Sequence, residues 1–147
     1  MRGGLLGDAE ARRARMRLLA AASVPFTIGV ASKYYHGPGS VHVIGQALDY
    51  FGTVFLILAA RVVFLRPPVW KVACPVLGAL TILEFSQRLH GELLERARGS
   101  WIGLHVLGSC FEWLDLLAYL LAALTVLRVE PWIVGRTRQA STAAEPR

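Results

Sequence analysis

Residues 101–127, WIGLHVLGSCFEWLDLLAYLLAALTVL, decide the fold. The run is long and apolar enough to cross a bilayer, which needs about 20 such residues in a helix. It nevertheless carries His105, Glu112 and Asp115. At about 100° per residue, His105, Gly108, Glu112, Asp115 and Tyr119 fall within an arc of about 80°. A carboxyl at mid-membrane costs about 2.5–3.5 kcal/mol on insertion, and the Leu-rich remainder returns about as much. Such a helix is stable only with its polar stripe turned to protein or trapped water, so the rest of the chain must supply a facing surface.

The composition agrees. Hydrophobic residues make up 54% of the 147-residue chain and the mean hydropathy is +0.47, above a soluble globular norm. The length suits one domain. The net charge of +6 comes mostly from arginines at the ends of the chain. A basic nucleic-acid-binding domain would not carry several apolar runs of membrane length, so no nucleic-acid partner is expected. Cys74 and Cys110 lie inside apolar runs and read as small buried hydrophobes. No metal-ligand spacing, cofactor motif or disulfide framework is present, and none of these is expected.

Working outward, residues 1–17 form a basic segment expected on the cytoplasmic side, and residues 17–35 read as a first span carrying Pro25. The same order of charge and apolar residues would suit a cleaved signal peptide, the alternative for this segment. A Gly/Pro turn with Tyr34 and Tyr35 leads to a second span at 43–65, which Pro67 and Pro68 end. A third span covers 69–87, and a charged loop leads into the fourth at 101–127. The transmembrane domain is thus placed at 18–128, and 129–147 reads as a disordered tail. Arg2, Arg12, Arg13, Arg15, Arg17, Arg66, Lys71, Arg128, Arg136, Arg138 and Arg147 fall on one side. Arg61 is expected to snorkel toward that face. Only Lys33, Arg88, Arg96 and Arg98 fall on the other. The expected fold is therefore all-α, an integral membrane bundle of four transmembrane helices with both termini in the cytoplasm.

With that topology, three helices carry polar residues into the outer half of the membrane. The second brings His42, Gly45, Gln46 and Asp49, and the third brings Glu84, Gln87 and Arg88. The fourth brings His105, Glu112 and Asp115. Each has an ordinary reading: Arg88 snorkelling and paired with Glu84, the histidines interfacial, Gly45 and Gly108 permitting close helix approach, Tyr119 packing. Glu112 and Asp115 are harder to explain that way, because intramembrane acids tend to mark sites or pathways.

The pairing of LEFSQ at 83–87 with FEWLDLLAYLLAAL at 111–124 resembles the membrane family named domain of unknown function 2809. More distantly it is similar to VanZ-like proteins, with a Glu-x-x-Gln near one helix end and an Asp in the last helix. The resemblance spans about residues 18–125. It rests on Gly45, Asp49, Glu84 and Gln87, on Arg98-Gly99-Ser100-Trp101-Ile102-Gly103, and on Leu107-Gly108, Phe111, Asp115 and Tyr119. Ser100 stands where Thr is expected, and Ala122-Ala123 where Gly is usual. The resemblance implies a small multi-pass protein of the bacterial inner membrane and supplies no activity. The VanZ-like side implies an association with the cell envelope and glycopeptide resistance.

The expected site is a polar pocket of Asp49, Glu84, Gln87, Arg98, Ser100, Asp115 and Tyr119, supported by Gly45, Arg88, His105, Gly108 and Glu112. Its expected partners are membrane lipids, including a lipid headgroup or a lipid-linked envelope precursor. A proton-coupled or ion transporter using Glu112 or Asp115 is one alternative. A non-catalytic scaffold bound to a membrane-protein partner, or to a second copy of itself, is another. No catalytic constellation is present, and enzymatic activity is not expected.

Overall fold

A computed structural model of the protein describes residues 7–86 and 113–143. These form helices α1 (Asp8–Ser32), α2 (Ser40–Val63), α3 (Val69–Ser86) and α4 (Trp113–Ala143). There is no strand among the described residues. All of these helices are long and apolar enough to cross a membrane, α4 over Trp113–Gly135. The described residues are thus all-helical, and their four membrane-length apolar helices make this a multi-pass membrane protein.

The connections follow from local chemistry. Gly39 adopts φ of 68°, a left-handed conformation open to glycine at no steric cost, and Val43 N–H donates to its carbonyl at 3.0 Å to start α2. Pro67 and Pro68 lack the amide hydrogens needed to carry α2 onward, and Lys71 N–H donates to the Pro68 carbonyl at 3.0 Å as α3 begins. Both connections are short, so α1/α2 and α2/α3 run antiparallel.

Helices α2 and α4 run parallel at the centre. Their partners advance together along both chains: Gln46 with Asp115, Tyr50 with Thr125, Arg61 with Glu130. The α2 stripe Gln46, Tyr50, Thr53, Ile57, Arg61 faces the α4 stripe Asp115, Tyr119, Ala122, Val126, Glu130, each at the spacing of three and four residues that keeps one seam buried. Helix α1 packs on α2 and α4 from one flank and α3 from the other; α1 and α3 do not pack on each other among the described residues. Where α1 crosses α2, a Cβ on Gly29 would sit 3.6 Å from the Phe51 Cβ, and the Phe26 and Phe55 rings pack 5.2 Å apart.

The distribution of large and small side chains is that of a bundle in lipid. Helix α4 buries Ala118, Tyr119, Ala122, Ala123 and Val126 while Leu117, Leu120, Leu121 and Leu124 point outward. A soluble bundle would bury the leucines. In a bilayer the tails solvate leucine as well as protein does, and small residues let helices approach closely. Ala122 and Ala123 lie fully in the core with Leu18, Ile57 and Leu58.

Three expectations need correction. Helix α4 continues past residue 128 to Ala143, and Ile133 and Val134 pack against the core, so residues 129–143 are helical; residues 144–147 lie outside the described residues. Arg61 does not snorkel: it is 4% exposed and paired with buried Glu130. Cys74 is exposed on the outer surface of α3 and is not a core residue; Cys110 lies outside the described residues. Helix α1 also starts earlier than the hydropathy suggests, at Asp8, where Asp8 and Glu10 favour the positive end of the helix dipole.

Candidate functional site

Two polar assemblies sit at opposite ends of the α2/α4 seam. Gln46 and Arg61 are separated by about 22 Å along α2, given a rise of about 1.5 Å per residue.

At the Arg61 end, the guanidinium donates from Nε and Nη2 to Glu130 Oε1, at 2.8 and 2.6 Å. Its Nη1 donates to the Pro67 carbonyl at 2.8 Å and to the Phe64 carbonyl. One side chain thereby caps α2, holds the Pro67-Pro68 turn and ties both to α4. Every partner is internal, and the side chains of Arg61 and Glu130 are 5% and 7% exposed. The chemistry is that of a closed structural lock.

At the Gln46 end the arrangement differs. Gln46 Nε2 donates to Asp115 Oδ1 at 2.9 Å, linking α2 to α4. Tyr119 donates to Glu84 Oε2 at 3.3 Å, linking α4 to α3. Asp49, Glu84 and Asp115 all act electrostatically on the Tyr119 hydroxyl, so three carboxyl groups from three helices converge on one phenol. Glu84 and Tyr119 are buried, whereas Gln46, Asp49 and Asp115 are part-exposed. Farther along the seam Tyr50 and Thr125 share a hydrogen bond of 2.8 Å, and Thr53 is buried beside them.

The local reasons are simple. Gln46, Asp49, Tyr50 and Thr53 recur at three- and four-residue intervals and so share the α2 face turned to α4. Asp115 and Tyr119 are one turn apart on α4. Glu84 lies in the last described turn of α3, which runs antiparallel to α4 and meets it there. Phe85 packs edge-on against Trp113 at 6.4 Å and closes the same corner.

Of the expected site, the structure thus gathers Asp49, Glu84, Asp115 and Tyr119. Gly45 neighbours the cluster but permits no close approach: among the described residues nothing comes within 4 Å of the place its Cβ would occupy. Gln87, Arg88, Arg98, Ser100, His105, Gly108 and Glu112 lie outside the described residues. Gln46, noted in the sequence only as part of a polar stripe, is the direct partner of Asp115. The signal for it was its place one turn before Tyr50 on the α2 face. The Arg61–Glu130 pair had no sequence signal beyond two isolated charges 69 positions apart.

The family described as "Protein of unknown function (DUF2809)" matches residues 41–123, which include Gln46, Asp49, Glu84, Asp115 and Tyr119 but not Glu130. No curated protein and no solved structure matches the chain.

Proposed function

The chain belongs to the DUF2809 family, and we propose that it binds the polar headgroup of a lipid, or of a lipid-linked glycan, at the Gln46–Asp115 end of its bundle. The observation that carries this reading is the convergence of three carboxyl groups, an amide and a phenol from α2, α3 and α4 on one end of an otherwise apolar bundle. Carboxylates only accept hydrogen bonds, and they accept them most strongly from hydroxyl, amide or ammonium donors. The described cluster therefore favours the hydroxyl-rich or amine-bearing part of a headgroup over its phosphate.

The arginine-rich ends of α1 and α4 lie at the opposite end of the seam, and positive charge marks the cytoplasmic side. On that rule the cluster faces the outer leaflet, where an envelope role of the VanZ-like kind would operate. Gln46, Asp49 and Asp115 are the groups within reach of a ligand, and Glu84 with Tyr119 forms the buried back wall.

The test is lipid analysis of the purified protein. Wild-type protein extracted in mild detergent carries a headgroup class enriched several-fold over the source membrane, and Asp115→Asn with Glu84→Gln removes the enrichment. Retained lipid that mirrors the bulk membrane in both proteins contradicts the reading.

A further inference from the structure

A second feature lies at the other end of the bundle. Between α1 and α4 an open groove of about 490 Å³ is lined by Arg17, Ala20, Ala21, Trp132 and Ile133. We infer that this groove seats one anionic phospholipid of the leaflet at the arginine-rich end, its phosphate on Arg17 and an acyl chain along Ala20, Ala21 and Trp132.

The argument begins with charge. Arg13 and Arg17 are four residues apart on α1 and share one face, and both are exposed. Asp8 and Glu10 in the first turn are outnumbered by Arg12, Arg13, Arg15 and Arg17. The nearest acid on α4, Glu130, is buried and already engaged by Arg61 on the α2 side, so it does not neutralise Arg17. A guanidinium pairs with a phosphate through two parallel hydrogen bonds.

Shape comes next. The two alanines lower one wall of the groove, while Trp132, 76% exposed, raises the other. Tryptophan favours the membrane–water boundary, where its ring meets acyl chains and its N–H meets headgroups. A basic cleft between spans, at the level of the headgroups and open along the chain direction, matches an anionic lipid. A small soluble ligand is held by burying most of its surface, which so open a groove does not do. The groove lies outside the segment that the family matches and across the membrane from the acidic cluster. The two ends thus select opposite headgroup chemistry.

The experiment is native mass spectrometry of the delipidated full-length protein. The probes are phosphatidylglycerol and phosphatidylcholine with identical chains, supplied at equal concentration. Wild type retains phosphatidylglycerol at least about fivefold over phosphatidylcholine, a difference of about 1 kcal/mol. Arg17→Gln brings the ratio near one, Arg17→Lys keeps most of it, and Lys71→Gln, on α3 and away from the groove, leaves it unchanged. Ala20→Phe fills the groove without altering charge and lowers retention of both lipids, which provides a reading independent of the arginine. Equal retention of the two lipids by wild type overturns the inference. So does a preference that survives Arg17→Gln, or a retention of both lipids that Ala20→Phe leaves unchanged.

Discussion

Arg61 and Glu130 stand 2.6 Å apart across the α2/α4 seam, both withdrawn from lipid and water. Neither charge could enter a membrane alone at modest cost, yet together they cancel, and Arg61 also satisfies two backbone carbonyls where α2 ends. The pair explains why α4 stays helical and packed through a stretch whose charges read as the end of a span. It also makes α2 and α4 dependent on each other, because each carries a charge that only the other neutralises.

Breaking that pair from one side should be far more damaging than removing it. Glu130→Ala strands a buried guanidinium and is expected to cost about 3–5 kcal/mol, whereas Arg61→Met with Glu130→Met recovers most of the loss. Reversible unfolding in mixed micelles, with a double-mutant cycle, measures both.

Tyr119→Phe keeps the ring and deletes the hydroxyl that reaches Glu84 at 3.3 Å. Hydrogen bonds between membrane helices contribute about 0.6 kcal/mol on average, and this one is long. The variant should unfold almost as the wild type does while losing lipid enrichment, which separates a binding role from a structural one.

At Gly29 the steric space decides the outcome. An added Cβ meets the Phe51 Cβ at 3.6 Å, an ordinary contact, so Gly29→Ala should be close to neutral in stability. Gly29→Leu must push α1 from α2 and is expected to cost about 1–3 kcal/mol, read in the same unfolding assay.

Gly45→Cys and Gly78→Cys compare depth and side. Neither added side chain meets anything within 4 Å among the described residues. A membrane-impermeant maleimide applied to intact cells should modify the first, beside the acidic cluster, and spare the second, halfway along α3. Labelling at position 45 only after the cells are opened would place the cluster on the cytoplasmic side.

Much of the fold was legible. Hydropathy and the Pro67-Pro68 break located α2 and α3 to within a few residues, because both signals are local. The end of α4 was not legible, since Arg128 and Glu130 look like a polar terminus until Arg61 is found opposite. That contact is non-local, and no property of either segment announces it. The candidate site was partly legible for the complementary reason. Asp49, Glu84 and Asp115 stand out as acids within apolar helices, and their convergence followed from topology alone. Gln46 was overshadowed because an amide costs less in a membrane than a carboxyl does and draws less attention. The Tyr50–Thr125 bond was hidden because tyrosine and threonine pass as ordinary packing residues.

The central claim is that the Gln46–Asp115 end is a binding site and not a structural knot. The most direct measurement is the rise in Tm when delipidated protein is titrated with headgroup-fractionated lipids from its own membrane, for wild type against Asp115→Asn. Binding to the folded state alone raises stability by about 2.7 kcal/mol at one hundred times Kd. One headgroup class should therefore raise the wild-type Tm by several degrees and leave Asp115→Asn unmoved. An equal rise in both proteins, or none with any class, would contradict the account.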